Sequence, residues 1–259
     1  MDFAYPLAGF FVGAVVGLTG VGGGSLMTPL LVMLFGIHPS VAVGTDLLYA
    51  AITKGGGTLV HGLKGTVDWT VTKRLASGSI PAATATLVAV HFFAPGGLAE
   101  AAGLIKFALG IALLLTAVAL VFRSRIQAYA LARFGGTPNP VRTARLTVLT
   151  GVVLGVLVSI SSVGAGALGV TVLFFLYPTM PALRIVGSDI AHAVPLTLVA
   201  GIGHWILGSV DWLLLGSLLV GSLPGIWLGS HISTKVPDRV LRPMLATMLV
   251  LVGAKLIGH

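Results

Sequence analysis

Four ionisable side chains stand where a chain this apolar should not tolerate them. Asp46, Lys54, Asp189 and His192 all fall inside long hydrophobic runs of a sequence that is only 8% charged. An ionisable group buried in such a run is costly, so it marks a functional position by default. Asp46 and Asp189 each follow a glycine and a hydroxyl residue, in Gly44-Thr45-Asp46 and Gly187-Ser188-Asp189. Either acid can carry a proton within a membrane; a structural ion pair or a cap on a neighbouring turn is the competing role. His192 comes three residues after Asp189, which puts both on one helix face, where a proton can pass between them. A lone helical histidine is also often just satisfied by a neighbour. Lys54 has no charged counterpart elsewhere, and it can attract an anion or neutralise Asp46.

Two glycine clusters supply a different chemistry. Gly22-Gly23-Gly24-Ser25 and Gly164-Ala165-Gly166-Ala167 each interrupt an apolar run, and glycine at that density breaks a helix and leaves backbone N–H groups bare. A short helix is expected to start at Ser25 and another at Ala167, each offering unpaired N–H groups and the positive end of its dipole to an anion. Thr28, Thr45 and Ser188 would add hydroxyl donors and Lys54 a positive charge. Gly164 to Gly169 matches a dinucleotide-binding glycine pattern in form, but it follows an apolar helix rather than a strand and is set aside. Ser25 in a bare-amide turn also fits an intramembrane serine hydrolase with an oxyanion hole. The second cluster has Ala167 in its place, so the device persists without the hydroxyl.

The elements that must position these residues are read from hydropathy. Apolar stretches run over 7–19, 26–36, 40–63, 70–93, 101–122, 146–161, 167–177, 185–207, 212–230 and 240–257. A crossing takes about 20 residues, so the first two stretches of each half are too short to cross singly and are expected to form re-entrant hairpins, each followed by three full spans. The halves are copies. Gly44-Thr45-Asp46 returns as Gly187-Ser188-Asp189, His61 as His204, Gly65-Thr66-Val67-Asp68-Trp69 as Gly208-Ser209-Val210-Asp211-Trp212, and Ile80-Pro81 as Leu223-Pro224, all at an offset of 143 residues. The chain 1–259 therefore reads as one transmembrane domain: repeat one 1–122, a linker 123–146 and repeat two 147–259.

Basic residues orient the repeats. The linker carries Arg123, Arg125, Arg133, Arg142 and Arg145 and is cytoplasmic by the positive-inside rule. Lys64, Lys73 and Arg74 flank one turn of the first half, whereas Lys235, Arg239 and Arg242 sit one loop later in the second. That shift is what inverted repeats require, and it places both termini outside. Paired broken segments in inverted repeats point to a transporter's binding site at mid-membrane. Gly9, Gly13 and Gly17, and again Gly221, Gly225 and Gly229, have the spacing that lets helices approach closely in lipid. His61, His204, Asp68, Trp69, Asp211 and Trp212 fall at span ends and read as anchors and caps.

Composition sets aside several classes. The chain has 259 residues, 56% of them hydrophobic, with a mean hydropathy of +1.05. Its net charge of +8 is explained by orientation in the bilayer, so no nucleic-acid partner is expected. There are no cysteines, and the histidines lack metal-ligand spacing, so neither a metal nor a cofactor is expected. Met1 to Pro6 shows no basic n-region, and no signal peptide is read there.

The motif Gly17-Leu18-Thr19-Gly20-Val21-Gly22-Gly23-Gly24-Ser25, followed by Thr28-Pro29 and Val43-Gly44-Thr45, resembles the opening of the TauE/SafE sulfite exporter family. The resemblance extends over nearly the whole chain, and Gly22, Gly23, Gly24 and Ser25 fall on the family's glycine motif. It implies a bacterial or archaeal inner-membrane permease for small sulfur-containing anions such as sulfite, sulfoacetate or other organosulfonates. The expectation is thus an all-α integral membrane protein of two inverted repeats that moves a small anion by alternating access, with Asp46, Asp189 and His192 as candidates for proton coupling. A passive anion channel is the alternative.

Overall fold

The computed structural model describes residues 3–19, 24–93, 101–134, 139–232 and 238–258. They form ten helices: α1 Ala4–Thr19, α2 Gly24–Met33, α3 Pro39–Leu63, α4 Trp69–Phe93, α5 Ala102–Phe134, α6 Pro140–Ser161, α7 Ala167–Leu176, α8 Ala182–Ile206, α9 Trp212–Ile232 and α10 Asp238–Ile257. Five of them, α4, α5, α6, α8 and α9, are long and apolar enough to cross a membrane. Large apolar side chains such as Phe107, Val118, Trp227 and Leu251 face outward, as expected where lipid and not water is the solvent.

Two boundaries differ from the sequence reading. α5 continues through Arg123 to Phe134, because Arg-Ser-Arg-Ile-Gln-Ala-Tyr-Ala-Leu-Ala-Arg is rich in good helix formers; charge ended the apolar stretch there without ending the helix. α6 begins at Pro140, with the Asn139 side chain accepting from the Val141 and Arg142 amides and proline in the first turn. At 22 residues it is long enough to cross by itself, unlike the 10-residue α2 and α7.

The halves interlock by exchanging equivalent contacts. A Cβ at Gly9 or Gly13 of α1 would strike the backbone of Leu218 or Ser222 on α9. Gly151 and Gly155 of α6 stand in the same relation to Leu75 and Ser79 on α4. Gly221 meets Pro6 and Phe10 while Gly78 meets Val148 and Val152, again equivalent positions. These small-residue seams let backbones touch, which is how helices gain packing energy where lipid removes the hydrophobic drive. α3 and α8 hold the same place in the two repeats and pack against each other: Leu48 meets Gly201 and Gly57 meets Ile190, so they run antiparallel. Gly110 of α5 and Gly253 of α10, also counterparts, face one another directly.

The caps are crossed as well. The Asp68 amide donates to Ser188 Oγ at 2.8 Å, and the Asp211 amide donates to Thr45 Oγ1 at 3.1 Å. Asp68 accepts from the amides of Thr70 and Val71, and Asp211 from that of Leu214, so both act as helix caps, as read from sequence. Each half thus closes a turn of the other.

Candidate functional site

The second break is built by backbone conformation. α6 ends on Ser162, a non-glycine residue at φ 59° whose amide still reaches Val158 O at 2.8 Å. Gly164 at φ 128° and Gly166 at φ 144° then turn the chain into α7, in a region side chains avoid. No side chain caps α7. The amides of Gly164, Ala165, Gly166, Ala167 and Leu168 donate to no described residue, although Gly164, Ala165 and Ala167 are buried. Of the first break, Gly22 and Gly23 lie outside the described residues, as does the Ser25 side chain; Gly24 and Ser25 open α2.

Asp46 reaches α2. Its Oδ2 accepts from the Thr28 amide at 3.2 Å and from Thr28 Oγ1. Thr28 is therefore engaged by the acid rather than free. Asp46 is completely buried, and its Oδ1 has no partner among the described residues; Ser162 Oγ, also buried and unpartnered, faces it from the second break.

Asp189 has no such anchor. Its side chain is completely buried, and neither oxygen has a described partner. The reason is local. At the 143-residue offset of the two acids Thr28 falls on Thr171, but the Thr171 hydroxyl turns back to Ala167 O at 2.7 Å. Gly169, in the first turn of α7, has no side chain, and Asp189 Oδ1 occupies the space that a Cβ there would fill. The carboxyl group thus lies against the first turn of α7, where the free amides are.

Lys54 links the two halves. It is buried, and its ammonium donates to Ala165 O at 2.7 Å, which brings it into the second glycine turn. Its charge acts on both Asp46 and Asp189, but neither carboxylate is within ion-pair range. An ammonium has three donors; the carbonyl takes one. His192 donates or accepts through Nε2 with Ser79 Oγ at 2.8 Å, while its Nδ1 is buried without a described partner. Its counterpart is Tyr49, whose hydroxyl turns toward Ser222, the counterpart of Ser79, without completing a hydrogen bond.

The structure therefore gathers Thr28, Asp46, Lys54, Ser162, Asp189, His192 and Gly164–Leu168 around the second break. Thr45 and Ser188 have their hydroxyls in the crossed caps. Sequence reading missed Ser162 and Gly169, whose only signals were their places beside a break and one turn into the helix that follows. His204 Nε2 bonds Ser159 O at 2.8 Å and His61 Nδ1 bonds Thr66 Oγ1 at 2.8 Å, matching a structural role. No cluster of three or more metal-ligating side chains occurs among the described residues.

The sulfite exporter TauE/SafE family matches residues 5–256. The chain belongs to the TauE/SafE family. A relative named "Probable membrane transporter protein YjnA" from Bacillus subtilis (strain 168) is 42% identical over 263 residues, covering 99% of this chain and 100% of the relative. A second from the same organism, "Probable membrane transporter protein YdhB", is 27% identical across 93% of this chain and 97% of its own length. A "Probable membrane transporter protein" from Xylella fastidiosa (strain 9a5c) is 29% identical across 88% of this chain and 83% of its own length. No solved structure matches significantly. TauE/SafE membership and these relatives make the chain a multi-pass membrane transporter.

Proposed function

We propose that this TauE/SafE protein is a secondary transporter of a small oxyanion, sulfite or an organosulfonate such as sulfoacetate, working by alternating access. The observation that carries this reading is the run of five amides, Gly164 to Leu168, three of them in buried residues, with no described acceptor, beside the ammonium of Lys54. A helix N-terminus aims N–H groups and the positive end of its dipole at one point, and Lys54 adds a full charge. Sulfite or sulfonate oxygens present several acceptors to such a cradle. In sequence, the glycine cluster Gly22-Gly23-Gly24-Ser25 is the counterpart in the other half.

The antiparallel run of α3 and α8, together with the mutual contact of Gly110 and Gly253, supports an inverted arrangement, since a twofold that reverses helix direction lies in the membrane plane. The crossed caps at Thr45 and Ser188 then form matching joints about which the halves rock. With the linker cytoplasmic both termini are outside, and reporter fusions at the carboxy terminus test that placement. The direction of net transport is set by the anion and proton gradients rather than by a fixed gate. Proton coupling runs through Asp46, Asp189 or His192.

Proteoliposomes loaded with unlabelled anion and given labelled sulfite or sulfoacetate test the reading. Saturable uptake with counterflow is expected. Flux that never saturates and shows no counterflow replaces the transporter with a passive anion channel, and cleavage of a model substrate that disappears in Ser25→Ala replaces it with a hydrolase.

A further inference from the structure

The two acids are equivalent in sequence and unequal in space. Asp46 has two donors from Thr28, which anchor its Oδ2 to α2. Asp189 has none. The groups facing Asp189 are few. From α3 comes Lys54, committed to the Ala165 carbonyl. From α7 comes only the bare Gly169. α4 and α6 bring no charged group to it, and α4's polar side chain in this region, Ser79, is taken by His192. On its own helix, His192 stands one turn on, with Nδ1 unpartnered.

The geometry points to Asp189 as the proton-binding residue of the transport cycle, coupled through Lys54 to the anion at the α7 N-terminus, so that proton and anion move together in the same direction. This inference rests on the functional reading above. A carboxylate without a donor is unstable at membrane depth, so the arrangement seen here suits a neutral Asp189, with the Lys54 ammonium held on the Ala165 carbonyl. An anion entering beside the α7 amides then meets a neutral acid and a cation. When the proton leaves an Asp189 oxygen, the resulting carboxylate sits against the first turn of α7 and competes for the same amides and for Lys54. Substrate and proton therefore each raise the affinity for the other, which is the condition for symport rather than exchange. His192 is the neighbour placed to pass the proton on.

The test uses the full chain in proteoliposomes with a trapped pH dye and labelled methanesulfonate, an alkylsulfonate with no titratable proton near neutral pH. An inward proton gradient is expected to raise uptake severalfold, with acidification of the lumen. In Asp189→Asn the ratio of uptake with the gradient to uptake without it falls to one and acidification disappears, whatever rate remains. In Asp46→Asn the ratio stays above one even where the rate drops. Gradient-driven uptake persisting in Asp189→Asn overturns the assignment, as does stimulation by sodium in place of protons, or alkalinisation of the lumen. Infrared difference spectra between acid and alkaline buffer decide the proton site without transport. A protonated-carboxyl band is expected in the wild type, lost in Asp189→Asn and shifted in Asp189→Glu; a band unchanged in both variants overturns the inference. Should the wild type move neither methanesulfonate nor sulfite, the functional reading fails while the infrared band still judges Asp189.

Discussion

The seams between helices and the polar centre treat the same duplication in opposite ways. Along the seams, Gly9 on Leu218 repeats as Gly151 on Leu75, and Gly13 on Ser222 repeats as Gly155 on Ser79. At the centre, Asp46 is held by Thr28 while Asp189 is held by nothing described. Lys54 has no charged counterpart, and Tyr49 stands where the second half has His192. Packing requires both copies to keep the same close approach, since a misfit on either side opens the bundle. Chemistry requires one copy to differ, since two identical acids around one lysine would share its charge without assigning separate roles.

The sharpest way to break this comparison is at the seams. Gly9→Val and Gly151→Val each drive a side chain into neighbouring backbone, which cannot yield as a flexible side chain can; neither variant is expected to give folded protein by size-exclusion chromatography in detergent. Folding of one and not the other would show that the seams are not equivalent. Lys54→Met comes next. It removes the charge-assisted bond to Ala165 O and is expected to cost about 1.5–3 kcal/mol in thermal stability followed by tryptophan fluorescence, together with loss of saturable anion uptake.

The acids should then separate. Asp46→Asn weakens charge-assisted bonds from Thr28 and is expected to cost about 1.5–3 kcal/mol. Asp189→Asn removes no described bond and is expected to cost less than Asp46→Asn. Equal losses in the same melting assay would erase the asymmetry on which the proton assignment depends. Thr45→Val and Ser188→Ala remove matching crossed caps and are each expected to cost about 1 kcal/mol, equal between the halves. Arg184→Ala is expected to have the smallest effect. Its Nε is 3.8 Å from Asp68 Oδ2 with the arginine side chain 50% exposed, and such pairs contribute about 0.2–1 kcal/mol.

Much of this organisation was legible in the sequence. Hydropathy marks the membrane class, and the offset of 143 residues marks the duplication. Asp68 and Asp211 are recognisable as caps from their places before tryptophan. The helical extent of α5 was not, because charged residues end an apolar run without ending a helix. Nor were the hydroxyl roles legible. Thr28, Thr45 and Ser188 all look like donors for a ligand, yet Thr28 turns to Asp46 and the other two accept amides from the opposite half. Those partners lie 18, 166 and 120 residues away, beyond the reach of any local pattern.

Composition and pattern alone dictate that helices form, that the second half breaks at Gly164 and Gly166, and that three charges and a histidine are buried among the helices. Composition and local backbone preference are enough for that. Which acid is anchored and which is bare is set by long-range packing. That outcome turns on a missing Cβ at Gly169, on the Thr171 hydroxyl turning back to Ala167, and on Lys54 crossing 111 residues of chain to reach Ala165. Each is a contest between partners that become neighbours only after the halves have packed.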